Sequence, residues 1–231
     1  MDLRTKTEHI QALQKHKATQ EARLSHVRSN DAVAEPLKID GVRNLEIRLT
    51  GKAFEKHLTS QLSWSSYLKL ASLYIVGYRT DAISIIGREV MQPRGLIGLA
   101  ADTLDCSGVE IKEALQSFLD PEGLPAMVHC TQGKDRTGII VMLVLMILGV
   151  LEAAIEYDYE LSDEGLAAEK ESRLAEIRAI GLSDDFGGVA KDMTAAVRRH
   201  LDENYSGLEK YLDNIGFDAR EREKLRNRLT Y

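Results

Sequence analysis

One segment of the chain carries chemistry-bearing residue types at a spacing that folding alone does not require: Val128-His129-Cys130-Thr131-Gln132-Gly133-Lys134-Asp135-Arg136-Thr137-Gly138. The short apolar run Ala126-Met127-Val128-His129 before it reads as a buried strand, and the uncharged run Gly138 to Leu151 after it reads as a helix. A tight loop entering a helix N-terminus converges several backbone N–H groups on one point, where the helix dipole adds positive potential. Such a concavity suits phosphate. Thr131, Gln132, Gly133, Lys134, Asp135 and Arg136 are therefore the expected phosphate-binding residues. Gly133 supplies the backbone twist, and Arg136 a planar two-point grip on phosphate oxygens. Cys130 sits at the base of this cradle. Helix N-termini and neighbouring cations lower a thiol from about 8.5 to about 3.5–7.5. The resulting thiolate can attack phosphorus and form a phosphocysteine intermediate that water hydrolyses. Asp135 is a carboxyl within the loop that can protonate the leaving oxygen, and the Thr137 hydroxyl can hydrogen-bond the sulfur. His129 is expected to satisfy hydrogen bonds beneath the loop.

Other readings compete for the same residues. A lone buried cysteine is usually an inert small hydrophobe, although Gly, Lys, Asp and Arg are odd choices for a purely structural loop. Walker A needs Gly-x-x-x-x-Gly-Lys-Ser/Thr, and Val128 and Asp135 break that pattern at both ends. A redox role would make Cys106 the resolving partner of Cys130. Asp135 can instead serve only to hold the loop, or pair with Lys134. The six histidines are scattered without ligand spacing, so neither a metal nor another cofactor is expected.

The elements that must position the loop are mostly helical. Leu45-Glu46-Ile47-Arg48-Leu49 alternates apolar and charged residues and reads as a half-buried strand. Trp64 to Met91 has helical apolar spacing, with breaks expected near Gly77 and Gly87. Ser107 and Glu110 match a capping box, predicting a helix from there to about Phe118, and Asp120-Pro121-Glu122-Gly123 reads as a turn. The uncharged run after the loop is shorter than the roughly 18–20 apolar residues a membrane span needs, so a helix packed on all sides is expected. Ser206 with Glu209 and Asp218 with Glu221 repeat the capping-box spacing, and Gly181 and Gly216 stand where C-terminal caps belong. The expected class is α/β, a small central sheet flanked by helices with a helical C-terminal part.

The bulk composition excludes some functions. The chain has 231 residues, a net charge of −6 and two cysteines, Cys106 and Cys130. A disulfide-stapled secreted scaffold is not expected, and the thiols fit the cytoplasm or another reducing intracellular compartment. The acidic balance argues against nucleic acid as a partner. Residues 1–30 nevertheless carry six Lys/Arg against three acids, a net of +3 that leaves −9 for the rest. A transit peptide would be poorer in acids. A solvated helical extension over residues 1–38 is the expectation, with residues 1–30 dispensable for folding.

At the loop the sequence resembles the protein tyrosine phosphatase superfamily, whose signature is His-Cys-x5-Arg followed by Ser/Thr. The form His129-Cys130-Thr131-Gln132-Gly133-Lys134-Asp135-Arg136-Thr137-Gly138 is similar to a branch found in bacteria and fungi. Asp158-Tyr159-Glu160-Leu161-Ser162 resembles the element after that branch's central helix, and Tyr205 to Leu212, with Gly216 behind it, resembles its closing helices. Tyr159 and Tyr211 read as packing residues. Ile39-Asp40-Gly41-Val42-Arg43-Asn44 is similar to the branch's opening, but the strands expected next and the family's Asp-Leu-Arg element are not recognised. The resemblance implies a cysteine-phosphatase fold over residues 39–231, with the sheet incomplete on its N-terminal side. It implies Cys130 as nucleophile, Arg136 as phosphate ligand and Asp135 as acid. The implied substrate is protein phosphotyrosine, with phosphoserine/threonine or a phosphoinositide as further members. The rival expectation is a catalytically weak or inactive phosphate-binding relative.

Overall fold

The computed structural model describes residues 1–5, 8–13 and 41–230. From Lys52 onward eleven α-helices dominate the described residues: α1 Lys52–Ser60, α2 Trp64–Val76, α3 Arg79–Ile86, α4 Gln92–Cys106, α5 Gly108–Ser117, α6 Asp135–Ile147, α7 Glu152–Gly165, α8 Lys170–Ala179, α9 Met193–Tyr205, α10 Leu208–Asn214 and α11 Ala219–Leu229. A π-helical turn, Gly87–Met91, runs α3 on into α4. Short 3₁₀ turns at Ala167–Glu169 and Asp184–Gly187 flank α8. None of the described helices is long and apolar enough to cross a membrane.

The expected small central sheet does not form. Among the described residues there is no β-strand; the pairing consists of two isolated parallel bridges, Asp2 with Glu46 and Asp2 with His129. Each bridge rests on two backbone hydrogen bonds. Asp2 N donates to Leu45 O at 2.7 Å and Ile47 N to Asp2 O at 2.9 Å; Leu3 N donates to His129 O at 2.9 Å and His129 N to Met1 O at 3.0 Å. The alternation at 45–49 is satisfied by burial instead of by a ladder: Ile47 and Leu49 turn into a core made of helices. Beyond Leu3 the chain coils at once, with Thr5 N donating to the Glu8 carboxylate at 2.8 Å and His9 N to Thr5 O at 3.1 Å. The tripeptide Asp2-Leu3-Arg4 has the sequence Asp-Leu-Arg, whereas the stretch after Asn44 does not. It lies ahead of that stretch in the chain and beside it in space.

The N-terminal residues that are described are packed. Leu3 is fully buried in the main core, and Asp2 and His9 are 1 % and 3 % exposed. The remainder of the expected extension, residues 14–38, and the opening residues Ile39 and Asp40 lie outside the described residues. At the centre stands α6, whose Ile139, Ile140, Met142, Leu143, Val144, Met146 and Ile147 are all buried, as its uncharged stretch from Gly138 onward requires. Around it α4, α5, α7 and the closing helices contribute Leu104, Ile111, Leu115, Ile155, Tyr211, Leu212, Phe217 and Leu225 to one core. By contrast α2 buries none of its residues: Trp64, Tyr67, Leu68, Tyr74, Ile75 and Val76 stand exposed, with Trp64 stacked on Tyr67 at 6.1 Å.

Candidate active site

The loop leaves the His129 bridge, passes buried Cys130 and enters α6 at Asp135. Gly133 holds φ +70°, a left-handed value that side chains rarely adopt, and this lets the backbone double back. Burial pushes the Cys130 thiol up. The Arg136 charge, the Thr137 hydroxyl and N–H, and the Gln132 N–H outweigh it, and the thiol is held below its ordinary value. The Thr137 hydroxyl is buried without a hydrogen bond of normal geometry, so the neighbouring sulfur is the group it serves. Cys106 lies apart on α4; both cysteines are free thiols.

Arg136 is not idle at the mouth. Its Nη1 donates to Glu8 Oε2 at 2.8 Å and to Leu3 O at 3.3 Å; its Nη2 donates to Glu8 Oε1, and to Thr131 Oγ1 at 3.2 Å. Thr131 Oγ1 in turn donates to Glu8 Oε1. Burial pushes the Glu8 carboxyl up, but the Arg136 fork, the Thr131 hydroxyl and the Thr5 N–H pull it down to about 2. Glu8 was not among the residues read as functional. Its signal was present: Thr5 and Glu8 stand at capping-box spacing, and Thr5 N and Oγ1 each donate to Glu8 Oε2 at 2.8 Å.

Lys134 differs from the picture of a residue reaching into the cradle. Its side chain is fully buried, and its ammonium donates to Phe186 O at 3.1 Å and to Gly188 O, anchoring the loop to the 3₁₀ turn after α8. The same ammonium lies 3.6 Å from Asp135 Oδ2. Asp135 is half-buried in the first turn of α6, and the Tyr159 hydroxyl donates to its Oδ1 at 3.4 Å. Burial raises the Asp135 carboxyl above its ordinary value despite Lys134, Arg136 and Tyr159, which all favour the carboxylate. Arg173 of α8 donates to Thr131 O at 3.2 Å.

Beneath the loop, His129 Nδ1 lies 3.3 Å from Cys130 O and its Nε2 3.7 Å from Asp2 Oδ2. Asp2 also accepts from Arg4 through Nε and Nη2, at 2.9 and 2.6 Å, and pairs with His9 Nε2 at 3.0 Å. Burial would raise this carboxyl; Arg4 and His129 bring it down to about 2. One N-terminal segment thus supports the loop from below through Asp2 and faces Arg136 through Glu8.

The Cys130 thiol, the Arg136 guanidinium six residues on and the Asp135 carboxyl stand in one loop. A tyrosine-protein phosphatase from Nostoc commune is 29% identical over 164 residues, 64% of this chain and 56% of the relative. The triple specificity protein phosphatase PtpB of Mycobacterium tuberculosis is 33% identical over 110 residues, 41% of this chain and 40% of the relative. The chain thus spans about half the length of the curated relatives it matches. The family model described as the tyrosine phosphatase family matches residues 1–231, and the chain belongs to that family.

Proposed function

We propose that the chain is a cysteine-dependent phosphatase acting on phosphate monoesters. The observation that carries this is the Cys130 thiol, held below its ordinary value against the cost of burial by Arg136 and the first turn of α6. The Cys130 thiolate attacks phosphorus, the S–P bond forms, and the bond to the leaving oxygen breaks. Asp135 gives its proton to that oxygen. Water then attacks phosphorus, Asp135 takes up its proton, and the thiolate departs, aided by the Thr137 hydroxyl. Arg136 and the loop N–H groups from Thr131 to Arg136 hold the three equatorial oxygens. Protein phosphotyrosine is the substrate class the family favours. Phosphoserine/threonine and phosphoinositides are the further candidates; a relative named for triple specificity supports breadth. Free thiols at both cysteines fit a reducing compartment.

Rapid quench with a ³²P-labelled aryl phosphate tests this. Label that survives alkaline denaturation but is released by acid, as an S–P bond requires, is expected on the parent and none on Cys130→Ser. Labelling that survives that substitution would place the nucleophile elsewhere. The rival reading, a cradle that binds phosphate without turnover, is favoured by Glu8, which already engages both terminal nitrogens of Arg136. It predicts phosphate-analogue binding with no label in the parent.

A further inference from the structure

Tyr159 belongs to a five-residue element on α7 that the proposed chemistry leaves unused. It is 4 % exposed, which alone would make it a packing residue. Its ring lies on the first turn of α6 so closely that a Cβ at Gly138 would stand 3.0 Å from Cδ2 and 3.1 Å from Cε2. A glycine there is what allows α7 to approach. The hydroxyl at the far end of the ring lies near the Ala190 N–H and donates to Asp135 Oδ1. A carboxylate can only accept, so in this pair the hydroxyl proton is directed to it. At 3.4 Å the bond is long for O–H···O, as catalytic hydrogen bonds in unliganded sites often are.

We propose that Tyr159 is a positioning residue that aims the Asp135 carboxyl at the leaving-group oxygen, with Gly138 as the residue that admits it. The inference rests on Asp135 being the general acid. Lys134 and Arg136 flank the carboxyl on its own loop and Tyr159 faces it from α7, while Glu156 and the Ala190 N–H lie near the Tyr159 hydroxyl. Of these, Lys134 lies at ion-pair distance from Oδ2 and Tyr159 takes Oδ1, so the two oxygens are held by different elements. The Asp-Tyr-x-Leu-Ser element thereby gains a chemical reason to accompany a loop that ends in Thr-Gly.

The test compares the full chain with Tyr159→Phe, Asp135→Asn and the double variant on p-nitrophenyl phosphate and phenyl phosphate. Phenylalanine keeps the ring against Gly138 and removes the hydroxyl. Tyr159→Phe is expected to lose roughly tenfold in kcat on phenyl phosphate, a part of the 10²–10⁴ a general acid supplies, and under about twofold on the better leaving group. Losing a donor to the carboxylate should move the alkaline limb of the profile, and the Asp135 carboxyl ¹³C titration, to higher pH. In the Asp135→Asn background the tyrosine change should add nothing. Equal losses on both substrates, an unmoved titration, or additivity with Asp135→Asn would overturn the role of Tyr159. If Asp135→Asn itself fails to discriminate between the substrates, the acid assignment falls, and the positioning role with it.

Discussion

Replacing Glu8 by Gln keeps the shape of the side chain and removes its charge opposite Arg136. The two side chains are 22 % and 17 % exposed, so the pair is largely shielded from water. A carboxyl taken from 4.5 to about 2 corresponds to about 3 kcal/mol of preference for the charged form. The folded value lies below the unfolded one, so this stabilisation is complete above pH 4.5 and disappears as pH falls through 2. It should be about 3 kcal/mol at pH 7 and about 1.4 kcal/mol at pH 3. For a chain of this size that is a fall in Tm of roughly 6–12 °C at pH 7, and less than half of that at pH 3. Urea unfolding and calorimetry at the two pH values, on parent and Glu8→Gln, measure it directly. A variant melting within a degree or two of the parent at pH 7, or a gap of equal size at pH 3, would show that Glu8 does not brace Arg136.

Other expectations are quickly checked. Iodoacetamide alkylation of Cys130 should inflect at a pH below that of a free thiol, and Arg136→Met should move the inflection upward; an ordinary inflection in the parent would remove the thiolate from the mechanism. Lys134→Met strips the donor from Phe186 O and Gly188 O; a stability loss of about 2–4 kcal/mol and faster proteolysis between α8 and α9 should follow, read by urea melts and limited trypsin digestion. Leu3→Ala should cost about 2–5 kcal/mol, as in any closely packed core, and a neutral result would detach the N-terminus from the domain.

The candidate site could be read from the sequence because its residues are local. Cys130, Asp135 and Arg136 lie within seven residues, and the loop between an apolar stretch and an uncharged helix positions itself. The helical half was legible for the same reason. The Asp218 and Glu221 capping box is formed, and Gly181 and Gly216 hold positive φ just past their helices. The failures were matters of long range. Alternation at 45–49 specifies one buried face, not a partner strand, and here the partner is a single residue of the N-terminus. Ser107 opens α5 but caps nothing, its hydroxyl lacking any partner, while Ser206 is in the left-handed region at the end of α9. Gly87 does not break its helix; it carries the π-helical turn past Ile180, where a Cβ would stand 2.1 Å from the carbonyl oxygen. Residues 1–9 are too few to display a period. The burial of Leu3 and the contacts of Met1 and Glu8 come from residues more than a hundred positions away.

The bare face of α2 governs how this molecule will look to light. Trp64 is the sole tryptophan of the chain, and it sits on that helix at 74 % exposure. Its indole already emits from a watery environment in the native state, so its colour changes little when the core around α6 melts. A fluorescence melt followed at tryptophan wavelengths would register the loosening of α2 from α3 and pass over the main transition. The chromophores that sense the core are Tyr159, Tyr211 and Phe217, all buried, and near-ultraviolet circular dichroism is the signal that follows them.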